Sequence, residues 1–249
     1  MVIGRRGFLA GLLACPVCAA AAPATVSWDY DGDGAGASRD ANPAFGKCGF
    51  GGQQSPIDLH DGIRGDLPAV IVKWQAAAFA VINNGHTLQL DSSTGSMVEV
   101  GSQRAELLQF HFHTPSEHAI DGKRSVMEAH FVHQRGDGLV VLAALLVPGR
   151  HHAGFAEIIA AATPRKGERA LQHRLDPRSL LPLDLGSAWR YEGSLTTTPC
   201  SEIVEWIVFE QPVEVAQADI RAFQKLFPMN ARPLQSVDRR YLLRSAAAS

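Results

Sequence analysis

The stretch that decides the fold reads Gln-Phe-His-Phe-His at residues 109–113, followed by Ser-Val-Met-Glu-Ala-His-Phe-Val at residues 125–132. Both runs are rich in aromatic and β-branched residues, which favours β-strands. Residues 121–124 read Asp-Gly-Lys-Arg and can turn the chain between them. The two strands could therefore lie side by side and antiparallel.

The spacing of the histidines in these runs places them on one face. Residues two apart on a strand project from the same side. His111 and His113 therefore share a face with Gln109, and Glu128 shares a face with His130. If the two strands pair, three imidazoles converge on one point.

Such a cluster has the chemistry of a catalytic zinc site. Neutral histidines suit zinc, and three protein ligands leave a fourth coordination place for water. A ligating histidine also needs a partner for its other ring nitrogen, and Gln109 and Glu128 are suitable same-face neighbours. The alternative is that these histidines are satisfied by hydrogen bonds within a core.

A second metal interpretation uses some of the same residues. The spacing of His111, His113 and Glu117 matches the first motif of cupins, in which an iron or manganese ion serves a dioxygenase or isomerase on a small barrel. The glycine-rich context expected before the first histidine is absent, because residues 105–108 read Ala-Glu-Leu-Leu. The stretch by itself leaves both interpretations open.

The rest of the chain predicts one β-dominated domain without internal repeats. Short β-rich runs alternate with turn signals, and they predict strands at 70–72, 80–82, 86–90, 97–100, 109–113, 126–133 and 139–147. The last run is so apolar that a buried helix is an alternative. Helical patterns are few, at 154–162 and 216–227.

Composition points to a small-molecule partner. The chain has 249 residues, a formal net charge of −2 and a pI near 6.5. Neither value favours nucleic acid or an anionic membrane as a partner. No segment reaches the length of a transmembrane helix. The oligomeric state, monomer or dimer, is not indicated.

The first 24 residues have the pattern of an export signal, with paired arginines before Gly-Phe-Leu, an apolar run and then small residues. The paired arginines resemble a twin-arginine signal, with general secretion as the alternative. Lipid attachment at Cys15 is disfavoured because Leu13 is large for a lipoprotein cleavage box. Once the signal is removed, Cys48 and Cys200 remain, and an oxidising compartment favours one disulfide between them. Two free buried thiols are the alternative.

Several further blocks resemble the alpha class of carbonic anhydrases, in the same order along the chain. They are Gln-Gln-Ser-Pro-Ile-Asp-Leu at 53–59, Asn-Asn-Gly-His at 83–86, the block from 109 to 118, Glu-Ala-His-Phe-Val-His at 128–133, Gly-Ser-Leu-Thr-Thr-Thr-Pro at 193–199 and Asn-Ala-Arg-Pro-Leu-Gln at 230–235. The resemblance runs from Trp28 to about Arg239. The run His-Phe-His-Thr-Pro-Ser-Glu-His at 111–118 resembles the bacterial, secreted or periplasmic branch.

The resemblance implies a mainly β, α+β domain over residues 25–249, with a large, mostly antiparallel twisted sheet and short peripheral helices. It implies a lyase that uses zinc-bound hydroxide to hydrate carbon dioxide reversibly to bicarbonate. His111, His113 and His130 would bind zinc, with Gln109 and Glu128 behind them. Thr196 would accept the proton of the hydroxide in a hydrogen bond and donate its own to Glu117.

The resemblance also assigns residues around the metal. It implies an apolar substrate pocket, a proton shuttle at His86, a water-ordering group of Tyr30 and Gln89, and a Cys48–Cys200 disulfide. The pocket residues are Val132, Val141, Leu195, Thr197 and Trp206. The remaining histidines match no function and are predicted to be structural or solvent-facing. They are His60, His118, His133, His151, His152 and His173.

One functional alternative remains within the same family. Carbonic-anhydrase-like binding modules lack catalysis, and such proteins have usually lost one or more of the zinc histidines. This chain keeps all three, which favours an enzyme.

Overall fold

The computed structural model describes residues 46–93 and 95–245. The predicted export signal, Cys15, Trp28 and Tyr30 lie outside these residues. Within the described part of the chain, no helix is long and apolar enough to cross a membrane.

Strands dominate the described residues. They are β1 (Asp58–Leu59), β2 (Ile63–Gly65), β3 (Val70–Lys73), β4 (Ala80–Asn83), β5 (Leu88–Asp91), β6 (Met97–Val100), β7 (Gln103–His113), β8 (Ala119–Ile120), β9 (Lys123–Arg124), β10 (Met127–Arg135), β11 (Gly138–Pro148), β12 (Gly167–Ala170), β13 (Ala188–Gly193), β14 (Val204–Phe209), β15 (Val213–Val215) and β16 (Leu243–Ser245). The helices are short. They are α1 (Gly46–Phe50), α2 (Ala153–Ala161), a 3-10 helix (Pro177–Leu180) and α3 (Gln217–Leu226).

Thirteen of these strands form one sheet, whose main path runs β12-β4-β5-β7-β10-β11-β14-β13-β16-β2. Most neighbours along it are antiparallel, whereas β11 is parallel to β14 and β15, and β16 is parallel to β2. The path stays open and does not close into a barrel. The predicted fold class is therefore confirmed, and the small barrel of the cupin interpretation is wrong.

Most predicted elements are present, with shifted ends. The run at 139–147 is the strand β11, so the helical alternative is wrong, and β7 begins at Gln103, six residues before the predicted start. The predicted strand at 86–90 begins at Leu88 instead, because Asn84 Oδ1 accepts hydrogen bonds from the main-chain N–H groups of His86 and Thr87 and holds a turn there. The sequence analysis did not predict β13 or β14.

The sheet separates two layers, and the alternation of side chains on β7 and β10 decides which residues enter each. Phe110, Phe112 and Phe131 are fully buried in the larger hydrophobic core. The helices α2 and α3 cover this layer, with Phe155 and Phe223 packed against Phe112 at ring-centroid distances of 5.3 Å and 6.3 Å. Burial of each such side chain contributes about 1.5–3 kcal/mol. The alternate residues, including the three histidines, therefore point to the opposite face.

A disulfide bond links α1 to the loop after β13. The Cα atoms of Cys48 and Cys200 lie 5.0 Å apart and their sulfurs are joined. This separation is in the range that disulfides require.

Candidate metal centre and active site

The pairing of β7 with β10 brings the three histidines together. In the antiparallel register, His130 lies opposite His111, and Glu128 lies opposite His113. One ring nitrogen from each histidine lies within 4.8 Å of the others. The strand phase predicted from the sequence is thus the phase in which the imidazoles converge.

The hydrogen bonds of the histidines determine which ring nitrogen faces the centre. His111 Nδ1 lies 2.8 Å from Gln109 Oε1, and His113 Nδ1 lies 2.7 Å from the main-chain oxygen of Asn230. His130 uses its Nε2, which lies 3.0 Å from Glu128 Oε1. The free nitrogens are therefore Nε2 of His111, Nε2 of His113 and Nδ1 of His130.

These free nitrogens have the chemistry of metal ligands. A neutral imidazole that donates from one nitrogen carries a lone pair on the other. His113 Nε2 is buried and has no hydrogen-bond partner among the described residues. Burial, followed by the neighbouring imidazoles, lowers the pKa of His111 well below its usual range, and burial likewise lowers the pKa of His113. Both rings are therefore neutral at pH 7, as metal binding requires.

Glu128 lies behind the centre as a fully buried carboxylate with three donors. It accepts from the main-chain N–H of His118 at 2.8 Å, lies 2.6 Å from His118 Nδ1 and supports His130. Burial alone would raise the pKa of Glu128, but the adjacent His118 and His130 hold it well below its usual range. A second group with the geometry of metal ligands contains His118, Glu128 and His130. The ligand atoms of this group already form hydrogen bonds with one another.

The chain of contacts continues beyond Glu128 through residues to which no role was predicted. His118 is fully buried, as a structural histidine would be, and its Nε2 lies 2.6 Å from the Tyr191 hydroxyl. That hydroxyl lies 3.0 Å from Ser55 Oγ. Hydrogen bonds thereby connect Ser55, Tyr191 and His118, which are far apart in sequence, to one candidate ligand, His130.

Glu117 is also fully buried, and its two oxygens differ. Oε1 accepts from the main-chain N–H of Arg232 at 2.8 Å. Oε2 lies 3.6 Å from His113 Nε2 and 3.8 Å from His130 Nδ1. No donor reaches Oε2 within the described ranges, and this includes Thr196, which is nearly buried in the loop after β13. One acceptor atom therefore remains unused beside the candidate metal ligands.

Arg232 holds the surroundings of Glu117 in place. Its guanidinium is 1% exposed and donates to Gln54 Oε1 at 3.0 Å and to the main-chain oxygens of Ser55 at 2.6 Å and Cys48 at 2.9 Å. Arg232 and Asn230 both lie in the block 230–235 that resembles the family, and no role was predicted for either. The resemblance of the block is a signal for them, but their contacts depend on the tertiary structure.

The predicted apolar pocket lies next to the histidines. Val132, Val141 and Trp206 are aligned across β10, β11 and β14 in the strand register. They belong to a second buried cluster, against which Leu195 packs, and the ring centroids of Trp206 and His130 are 4.8 Å apart. Thr197 is half-buried in the loop that follows Leu195. The structure thus brings a patch of apolar surface to one side of the three histidines.

His86 and Gln89 lie on the β4–β5 side of the centre. His86 is half-buried in the turn between these strands, and burial, followed by the charge of Lys166, lowers its pKa. Gln89 is opposite His111 in the register, and its side chain donates to Asp91 Oδ1 at 2.7 Å. Tyr30, the other predicted water-ordering residue, lies outside the described residues.

Comparisons with known proteins agree on one family. The model of the eukaryotic-type carbonic anhydrase family matches residues 39–245. A carbonic anhydrase of Nostoc sp. is 37% identical over 88% of this chain and 86% of its own length. A carbonic anhydrase of Pectobacterium carotovorum is 34% identical over 96% of this chain and 99% of its own length. The alpha-carbonic anhydrase of Thermovibrio ammonificans, solved with sulfanilamide, has a TM-score of 0.83 and 37% identity, with 87% of this chain and 98% of that chain covered.

The solved relative shares the open, strand-rich fold, and the family resemblance seen in the sequence is confirmed. The predicted enzymatic function is confirmed with it. The chain belongs to the eukaryotic-type, or alpha-class, carbonic anhydrase family and catalyses the reversible hydration of carbon dioxide to bicarbonate and a proton.

Proposed function

We propose that hydration takes place at a zinc ion held by His111 Nε2, His113 Nε2 and His130 Nδ1. The observation that carries this proposal is the convergence of three ring nitrogens, one of them buried and without a partner. An all-imidazole donor set suits zinc, and it leaves a fourth coordination place open. When bound, zinc would supply a Lewis acid that makes hydroxide available as a nucleophile near neutral pH.

Thr196 and Glu117 orient the attacking oxygen. The Thr196 hydroxyl has one proton and two lone pairs, whereas an ionised carboxylate can only accept. A Thr196 hydroxyl that donates to the unused Oε2 of Glu117, a bond this structure does not contain, would direct the threonine lone pairs toward the nucleophile. Thr196 would then accept a hydrogen bond from that nucleophile, so that an oxygen lone pair faces the carbon of the substrate.

The apolar patch receives carbon dioxide. Val132, Val141, Leu195 and Trp206 exclude water beside the histidines and offer a surface to an uncharged, linear molecule. Thr197 supplies a hydroxyl at the edge of this patch. Substrate and nucleophile are thereby held next to each other before reaction.

His86 carries the released proton to solvent. Its half-buried position between the sheet and the surface suits this role, and the imidazole of histidine exchanges protons near neutral pH. Gln89 and Tyr30 order the intervening water. The lowered pKa of His86 favours release of the proton to buffer once it has been accepted.

The proposal extends to where the protein works. Residues 1–24 act as an export signal, and residues 25–249 form the catalytic domain in the periplasm or outside the cell. The adjacent Cys48 and Cys200 support this assignment, because disulfides persist in oxidising compartments.

Replacement of the candidate ligands tests the metal centre. His111→Ala, His113→Ala and His130→Ala are each expected to lose zinc and to lower the rate of carbon dioxide hydration more than about a hundredfold, because three ligands are the fewest such sites use. Zinc content is measured by elemental analysis and hydration by stopped flow. His151→Ala, at an exposed histidine, is the matched control and should behave as the parent. Full zinc occupancy with retained activity in any ligand variant refutes the site.

A further inference from the structure

Asn230 makes contacts on both sides of the proposed reaction path. It is 2% exposed and follows α3 at the end of a short loop. It is joined to the main chain of Thr114 twice, since its own N–H donates to Thr114 O at 3.0 Å and its side-chain Oδ1 accepts from Thr114 N–H at 2.7 Å. These two bonds fix the residue against the end of β7.

Beyond Thr114, the main chain and the side chain of Asn230 have different partners. Its main-chain oxygen accepts from the Nδ1 of His113, a candidate zinc ligand, at 2.7 Å. Its side-chain Nδ2 donates to the main-chain oxygen of His86 at 2.8 Å and to that of Phe112 at 3.0 Å. One residue therefore joins the metal centre to the segment that carries the proposed proton shuttle.

The His86 segment is held from two directions. On its amino side, Asn84 Oδ1 accepts from the N–H groups of His86 and Thr87, both at 2.9 Å. On its carbonyl side, the Asn230 amide is the donor. The intervening Gly85 has φ +93, a conformation that glycine adopts readily and residues with a side chain rarely do.

We infer that Asn230 is a positioning residue for proton export, whose side-chain amide fixes the main chain of His86 relative to the metal centre. The inference rests on the proposed role of His86. Loss of this bond would let the turn rearrange, and the imidazole would then spend less time in line with the reacting centre. The direct contact of Asn230 with the candidate ligand His113 is made by the main-chain oxygen, which any substitution of Asn230 retains.

The main-chain contact with His113 and the side-chain contact with His86 are separate, which leads to a specific kinetic expectation for Asn230→Ala. Zinc content and kcat/KM should stay within about twofold of the parent, because the His113 contact persists. Alanine also removes the side-chain bonds to Phe112 and Thr114, but only the bond to His86 lies on the proposed proton path. In weak buffer, the loss of that bond should lower kcat about fivefold. Added imidazole should restore kcat by carrying the proton in place of His86. Hydrogen exchange of the amides at 86–88 should become faster.

Two further variants distinguish this role from a merely structural effect. Gln224→Ala removes a 3.3 Å bond to Thr114 Oγ1, close to Asn230 but not to His86, and should leave kcat unchanged. If Asn230→Ala does not fold because of the cavity it leaves, Asn230→Leu keeps nearly the same volume and also loses the donor. The same expectations then apply to that variant.

His86→Ala separates failure of the inference from failure of the proposed function. A further loss of kcat on combining His86→Ala with Asn230→Ala contradicts the inference, since the two should act through one path. A normal kcat in Asn230→Ala, beside a lowered kcat in His86→Ala, overturns the inference and leaves the shuttle intact. Equal losses in kcat and kcat/KM that imidazole does not restore also overturn it. If His86→Ala itself leaves kcat unchanged, the proposed shuttle is wrong and the inference falls with it.

Discussion

Glu128 is 0% exposed, yet it is ionised and faces only donors. A buried carboxylate is stable in this state when hydrogen bonds replace its water, and His118 and His130 supply them. The residue therefore serves two purposes. It fixes which nitrogen of His130 is free, and it makes that imidazole a better donor to a cation.

Glu128→Gln tests this role with almost no change in shape. A glutamine offers one acceptor oxygen and an NH2 donor, so at least one of the facing N–H groups loses its partner. We expect zinc affinity to fall about 10- to 100-fold, measured by competition with a chelator of known affinity. Glu157→Gln is the control, because Glu157 also accepts from a histidine, the exposed His173. An unchanged zinc dissociation constant in Glu128→Gln contradicts the assigned role.

At the scale of elements, the loop after β13 carries Thr196 and is secured at several points. Cys200 is bonded to Cys48 of α1, and its main-chain oxygen accepts from Gln54 Nε2 at 3.1 Å. Ser194 Oγ accepts from the Ser55 N–H at 3.0 Å. The segment 48–55 thus holds the loop that carries Thr196, the threonine proposed to orient the nucleophile.

Removing the disulfide is expected to weaken this attachment and the whole fold. Closing a loop of 152 residues restricts the unfolded chain, which corresponds to at most about 5 kcal/mol of stabilisation. The double variant Cys48→Ser, Cys200→Ser should therefore unfold at lower urea concentration than the oxidised parent, and at about the same concentration as the reduced parent. Equal midpoints for oxidised and reduced parent would contradict this expectation, as would two free thiols found by mass spectrometry in exported protein.

At the scale of the whole molecule, stability should depend on pH through His133. This side chain is fully buried, lies 3.2 Å from the Val140 oxygen and stacks on Trp74. Burial lowers its pKa to about 4. In the unfolded chain the ring takes up a proton near pH 6.5, whereas the folded protein resists protonation until about pH 4. The folded state therefore loses stability as pH falls between these values, by roughly 3 kcal/mol in all.

His133→Phe keeps an aromatic ring against Trp74 and removes the titration. Between pH 7 and pH 4.5, the free energy of unfolding should fall less in this variant than in the parent. Urea titrations of both proteins after removal of metal give the comparison, because the candidate zinc ligands then titrate alike in the two. Parallel losses in parent and variant would show that His133 does not contribute.

The strands predicted from the sequence and those missed do not differ simply in burial. The alternation on β7 and β10 identified the histidine face, because one side of these strands carries aromatic core residues and the other carries polar groups. Along β13, Trp189 and Tyr191 alternate with Arg190 and Glu192, and β14 is apolar and buried on both faces, as is the predicted β11. Both strands therefore carry a strand signal in the sequence that was not used, although β14 supplies Trp206.

The sequence by itself determined the three histidines of the candidate site, the β-rich fold and the family. Each of these follows from local spacing or from short contiguous blocks. The tertiary structure alone decided which partner each site residue has. Asn230 meets His86 across 144 positions, Arg232 meets Glu117 across 115, and Tyr191 meets His118 across 73. Periodicity reports which face a side chain occupies, but the residue that arrives opposite depends on the path of the whole chain through the sheet.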